Sequence, residues 1–295
     1  MIDHLQYLCD LPIYREEQPY ELYGFPEIQS KTRTNCDFET KEVTVTDCRD
    51  AKGITLQGHG FMFLKHESAF SLEAKYLETV DDDTTVLMGY LEETTQLVRK
   101  LLKPADVICF DWRFRRRDPM VNGRIPPRAL KDIRNFALPT GDVVHCDYSA
   151  SGGADRLRIQ LLRQELEEFY VKERQAMIVN VWRPLHIVEN TPLLLCDRRT
   201  VPKDDLIEVD KVLSDKVEKS YFLFHKEYHS WYYLSGQRPD EVAIFPTWIS
   251  ESKNEFADCC PHGAGASQKD GCAKPRESIE VRLLVILEPH QLHTL

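Results

Sequence analysis

The chain has 295 residues, is 42% hydrophobic and 29% charged, and carries a formal net charge of −10. This is the composition of an ordinary globular protein, and the acidic balance argues against a nucleic acid or an anionic membrane surface as partner. Nine cysteines, an odd number in no regular framework, fit a reducing compartment better than a secreted disulfide scaffold.

Residues 1–40 are polar and turn-rich, with Pro12, Pro19 and Pro26, and are expected to wrap the surface. Their start, Met1-Ile2-Asp3-His4, lacks the basic-then-apolar pattern of a signal peptide. No apolar run reaches the roughly 20 residues of a membrane span, so the expected compartment is the cytosol. Residues 42–48 alternate and are β-branched, which predicts a strand; a second strand is predicted over 58–64. Leu87, Tyr90, Leu91, Leu97, Val98, Leu101 and Leu102 have helical spacing, and Pro104 ends that helix. Residues 107–112 read as a buried strand. The basic run Arg113-Phe114-Arg115-Arg116-Arg117 is too short for a nucleic-acid footprint. Four prolines make 118–142 a long loop, and a loop of that length is usually functional or a lid.

Gly152-Gly153 is expected to break the chain before a helix over 154–174, whose Arg and Glu residues form a solvated face. Further strands are predicted at 177–183, 193–196, 221–234, 241–248 and 279–287, with 221–234 and 241–248 paired. Many short strands with helices on one flank predict a distorted double-stranded β-helix, the jelly roll of cupin-like proteins. No linker divides the chain, so residues 1–295 are expected to form one domain.

The chemistry is concentrated in two stretches. In Val143-Val144-His145-Cys146-Asp147-Tyr148, residues two apart share a face, so His145 and Asp147 can offer an imidazole and a carboxylate to one metal ion. His262 is the candidate third ligand. Two histidines and one carboxylate form a facial triad that leaves the opposite face of a ferrous ion open. Arg276, fourteen residues beyond His262, shares a strand face with Ser278, and a guanidinium fork beside a hydroxyl matches one carboxylate. Arg282 lies on the same face, but six residues of strand, roughly 20 Å, keep it from the same anion.

His145-x-Asp147, Asn180-Val181-Trp182-Arg183-Pro184-Leu185, Pro192-Leu193 with Cys196-Asp197, His262, and Pro275-Arg276-Glu277-Ser278-Ile279-Glu280-Val281-Arg282 together resemble one family. It is the fungal gibberellin-desaturase-like hydroxylase/desaturase family of Fe(II)/2-oxoglutarate-dependent oxygenases. The resemblance covers roughly residues 55–288. It implies a jelly-roll barrel, Fe(II) ligated by His145, Asp147 and His262, and 2-oxoglutarate anchored by Arg276 with help from Ser278. With O2 as the other cosubstrate, it implies hydroxylation or desaturation of a small secondary metabolite and decarboxylation of 2-oxoglutarate to succinate. The family also makes a homodimer plausible.

Relatives usually carry His-Ser/Thr-Ala-Phe where this chain has His262-Gly263-Ala264-Gly265, so the missing ring is expected to loosen that wall. Arg183 ends a buried strand and must find an anion or carbonyl. Either it meets the cosubstrate or substrate, or it makes a structural pair with Asp197 or a backbone carbonyl. Cys259, Cys260, His262 and Cys272 offer a zinc reading, without the paired spacing of a zinc site. His225 and His229 are alternative ligands. A metal-dependent hydrolase or isomerase on a jelly roll, or a non-catalytic binding protein of that fold, are the rival functions.

Overall fold

The structure is a computed structural model, and it describes residues 1–23, 33–49, 51–72, 85–116, 141–250, 255–266 and 274–291. Residues 117–140, most of the Pro-rich segment expected as a lid, lie outside the described residues, as does Cys272.

Strands β7 (Gln175–Pro184) and β14 (Glu277–Leu287) pair antiparallel along ten residues, with Arg282 opposite Asn180. Every residue of β7 is buried, as is every residue of β14 except Arg282. An antiparallel strand is buried along its whole length only when both sheet faces are covered. With β4 (Met62–Lys65), β5 (Asp106–Arg116) and β12 (Glu241–Ile249) they form a five-stranded sheet ordered β4-β12-β7-β14-β5. Its outer face packs Val179, Val181, Ile279, Val281 and Leu283 against helix α2 (Thr85–Leu102), which supplies Tyr90, Leu91 and Val98. Pro246 fits inside β12 because β4 pairs only as far as Ile244, and the register to β7 shifts just beyond the proline.

The second sheet has nine strands. It joins β1 (Ile2–Leu8), β3 (Phe38–Asp47), β11 (Trp231–Tyr233), β8 (Leu193–Cys196), β13 (His262–Ala264), β6 (His145–Cys146), β10 (Val217–Leu223), β9 (Leu206–Val212) and β2 (Tyr20–Leu22), in that order. Two facing, mostly antiparallel sheets, with α2 on the outer face of the smaller one, give the expected jelly roll.

Several local expectations are corrected. Residues 2–8 do not wrap the surface; β1 pairs with β3 and buries Leu5, Tyr7 and Leu8. The predicted strand over 58–64 begins as a short helix, α1 (Leu56–His59). Thr55 Oγ1 accepts from Gly58 N, and Gly60 closes the turn at φ +82°. The helix expected over 154–174 is two, α3 (Ala150–Gln160) and α4 (Arg163–Val171), divided where Leu161 becomes extended. Gly152 and Gly153 lie inside α3 rather than before it. A Cβ on Gly153 would sit 2.1 Å from the Trp248 ring, so close packing, not chain reversal, demands the glycine. Residues 221–234 and 241–248 do not pair with each other. β10 and β11 belong to the large sheet, and β12 joins the small one between β4 and β7.

Arg183 points outward with Val179 and Val181. Its guanidinium donates to the Tyr90 hydroxyl (3.1 Å) and to the carbonyls of His66 (2.8 Å) and Pro239, and meets His66 Nδ1 at 2.8 Å. The expectation that Arg183 meets cosubstrate or substrate is corrected, because the sheet stands between it and the barrel interior. Asp197 is taken by Arg199 instead. Replacing Arg183 with Met leaves buried carbonyls unsatisfied, and the expected loss is about 2–3 kcal/mol of stability, read by urea denaturation, with Fe(II) affinity unchanged.

Candidate metal centre

β6 lies between β10 and β13, and the register sets His262 opposite His145. Directly opposed residues on neighbouring strands hold their Cβ atoms about 5 Å apart, and the two imidazole centroids lie 4.5 Å apart. Each ring spends Nδ1 on the backbone two residues earlier: His145 donates to Val143 O at 2.7 Å and His262 to Cys260 O at 3.0 Å. That fixes the tautomer with Nε2 carrying the lone pair. Asp147 follows on the same face, and its Oδ1 is 3.9 Å from His145 Nε2. The ligand-capable atoms of His145, Asp147 and His262 all lie within 4.8 Å of one another.

Two residues of the opposite sheet hold the carboxylate. Arg282 donates to Asp147 Oδ1 at 2.8 Å and Asn180 donates to Oδ2 at 2.7 Å. Burial opposes charge on Asp147. The Arg282 guanidinium, the two imidazoles and the Asn180 amide outweigh it and hold the carboxyl well below the usual carboxylate range. Burial first, and then the neighbouring His262 ring, pushes the His145 imidazole well below its ordinary value. At neutral pH the cluster therefore offers an ionised carboxylate and a neutral imidazole at His145, the donor forms a divalent transition metal takes.

Arg276, Ser278, Glu280 and Arg282 alternate along the interior face of the last strand. Arg276 donates to Thr191 O at 2.9 Å and stacks with its Cζ 5.4 Å from the Trp182 ring. Ser278 Oγ is fully buried, with no hydrogen-bond partner among the described residues. Its hydrogen-bonding capacity is unspent on those residues. Phe245 closes the far side of the centre, its ring 4.8 Å from that of His262.

The other candidates lie elsewhere. His229 Nε2 pairs with Asp205 at 3.0 Å, and His225 packs edge-on to Tyr7. Cys259 and Cys260 are buried among apolar groups, with Cys260 Sγ donating to Cys196 O. Among the described residues His145, Asp147 and His262 are the one group with metal-ligand spacing. The wall at Gly265 is not loosened. A Cβ there would meet Asp3 Oδ2 at 2.5 Å, because Asp3 of β1 fills the space. Sequence reasoning gave Arg282 no part in the site and left Asn180 without a role. Strand alternation already placed Arg282 on the face of Arg276, but only folding supplied Asp147 as partner to Arg282 and Asn180.

A profile described as "Oxidoreductase/YMDC permease-like domain" matches residues 5–286. The Fe(II)/2-oxoglutarate-dependent dioxygenase nvfI of Aspergillus novofumigatus is 31% identical over 278 residues, covering 92% of this chain and 91% of that protein. The chain is a member of this oxidoreductase family and an Fe(II)/2-oxoglutarate-dependent dioxygenase. The hydroxylase/desaturase efuI of Hormonema carpetanum is 30% identical to the dioxygenase described here, over 91% of this chain and 92% of its own. Among solved structures, the iron and α-ketoglutarate-dependent endoperoxidase NvfI superposes with a TM-score of 0.77 at 26% identity, over 98% of both chains. Among the described residues of the dioxygenase no helix is long and apolar enough to cross a membrane.

Gly141 abuts the His145 ring. A Cβ on it would lie 2.9 Å from His145 Cε1, so Gly141→Val is expected to tilt the imidazole and weaken Fe(II) binding about tenfold or more, measured by calorimetry under argon. The depressed carboxyl of Asp147 contributes stability that is complete above its unfolded value, about 3.9, and is lost as pH falls toward its folded value. Apo Asp147→Asn is therefore expected to be less stable than wild type at pH 7, with the gap narrowing below about pH 4, as urea unfolding across that range measures.

Proposed function

We propose that His145, Asp147 and His262 hold one Fe(II), that Arg276 and Ser278 hold the distal carboxylate of 2-oxoglutarate, and that the enzyme hydroxylates or desaturates a small secondary metabolite. 2-Oxoglutarate leaves as succinate and CO2. The convergence of three ligand-capable side chains from two separate stretches, with their donor atoms within 4.8 Å, carries this reading. The chemistry of the set fits the metal: two imidazole nitrogens and one carboxylate are the facial donors of a ferrous oxygenase. When bound, the iron supplies, with 2-oxoglutarate and O2, the oxidising power to remove hydrogen from an unactivated C–H bond.

The protein's own share is placement. Arg276 offers a planar fork to the cosubstrate and Ser278 a single hydroxyl, while Trp182 backs the guanidinium. Phe245 and Trp182 line the interior with apolar surface, excluding bulk water and suiting an apolar substrate. Asp147 fills the third protein position with a carboxylate, so hydroxylation or desaturation is favoured over halogenation, which needs that position for a halide. In this proposal residues 1–295 act as one oxygenase domain, in the cytosol, on a small molecule and without a nucleic-acid partner, as a net charge of −10 favours. Two copies pair as a homodimer, which sedimentation reads.

The deciding assay is iron-dependent formation of succinate from 2-oxoglutarate. His145→Ala, Asp147→Ala and His262→Ala are each expected to abolish it together with Fe(II) binding. Arg276→Ala is expected to raise the 2-oxoglutarate requirement at least tenfold while sparing the metal. Full turnover in His262→Ala sinks the assignment. Metal-dependent turnover of substrate without succinate points instead to a hydrolase or isomerase.

A further inference from the structure

The ligand set proposed above comes from the nine-stranded sheet and the bend that follows β6, yet its carboxylate is held from the other sheet. Arg282 and Asn180 stand opposite each other on β14 and β7 and both turn into the barrel. One takes Asp147 Oδ1 and the other takes Oδ2. The guanidinium is itself fixed. It also donates to Glu280 at 2.9 Å and to Asp111 at 3.2 Å, and Asp111 sits opposite Arg282 on β5 and binds Arg113 as well. Asn180 is fully buried, and Asp147 and Arg282 are nearly so. If Oδ2 turns away, the buried Asn180 amide loses its acceptor, and if Oδ1 turns away, Arg282 loses one of its three carboxylates, which is costly in each case.

We propose that Arg282 and Asn180 are the positioning residues of the metal centre: they lock Asp147 in the one orientation that faces His145 and His262, so that metal affinity depends on the docking of the two sheets. The inference rests on the ligand assignment made above. The clamp presets the carboxylate before any ion arrives, and it occupies one lone pair on each oxygen. Oδ1, which lies 3.9 Å from His145 Nε2, would be the oxygen offered to an ion beside that imidazole. An ion held by the large sheet would be coupled to the small sheet through Asp147 and Arg282. Metal binding and sheet docking are thereby linked.

The test uses Mn(II) as an air-stable probe alongside Fe(II), in the full-length protein, comparing wild type with Arg282→Lys, Arg282→Met, Asn180→Leu and Asp147→Ala. Dissociation constants come from calorimetry, and the thermal midpoint is recorded with and without metal. Arg282→Met and Asn180→Leu are expected to weaken metal binding 10–100-fold and to shrink the metal-induced rise in midpoint. Arg282→Lys, which keeps the charge but loses the fork, is expected to recover part of the affinity. The affinity is read below each variant's own midpoint, where near-UV circular dichroism reports the folded fraction, so a loss of fold is separated from a loss of ligand geometry. Wild-type affinity in folded Arg282→Met and Asn180→Leu, with binding lost in Asp147→Ala, overturns the clamp and leaves the ligand assignment standing. Wild-type affinity in Asp147→Ala removes the ligand assignment itself. If Arg282→Met cannot be obtained folded, Asn180→Leu and Arg282→Lys decide between the same outcomes.

Discussion

One backbone register holds the centre together: His262 of β13 hydrogen-bonded opposite His145 of β6. Strand pairing fixes the spacing of the two imidazoles, and the carbonyls of Val143 and Cys260 fix their orientation. β13 is itself anchored from its other side, where His262 stands opposite Leu195 of β8. A slip of one residue in either strand would turn an imidazole to the far face and bring Cys146 or Gly263 inward. The burial of Cys146 opposes that slip, as do Leu5 and Val144, which a Cβ on Gly263 would meet at 3.4 and 3.6 Å.

The small sheet contributes in a different currency. Its two faces serve separate tasks along the same strands. Val179, Val181, Ile279, Val281 and Leu283 bind α2 and form a continuous apolar core, while Asn180, Trp182, Ser278, Glu280 and Arg282 face the large sheet. A largely enclosed arginine is tolerated among them because three carboxylates surround it, on Asp147, Glu280 and Asp111. Arg183 shows the same economy on the opposite face, where two carbonyls and the Tyr90 hydroxyl answer its guanidinium. Both arginines belong to one strand pair, and strand parity alone separates their roles.

Much of this was legible in the residues. The His-x-Asp spacing and the lone His262 picked out the three side chains that converge, and alternation within a strand, a local rule, set Arg276 and Ser278 on one face. The jelly roll followed from many short β-branched runs. What went astray was non-local. Residues 2–8 read as surface wrapping because their composition is mixed, but pairing with β3 made them a strand. Gly152 and Gly153 read as a break, although their smallness answers Lys219 and Trp248 from distant parts of the chain. The loss of a side chain at Gly265 read as an opening, and Asp3, more than 250 residues away, fills it.

The sequence by itself determined which groups can bind metal and which share a strand face, since both depend on residue type and a two-residue period. Only the tertiary structure decided their partners. Arg282 lies too far along β14 to join Arg276 on one anion, and it reaches Asp147 because the two sheets pack face to face. Arg183 could not be assigned until the sheet had an outside, formed by α2 and the His66 backbone. Partners across a barrel are set by how sheets fold over one another, and no short stretch of sequence encodes that.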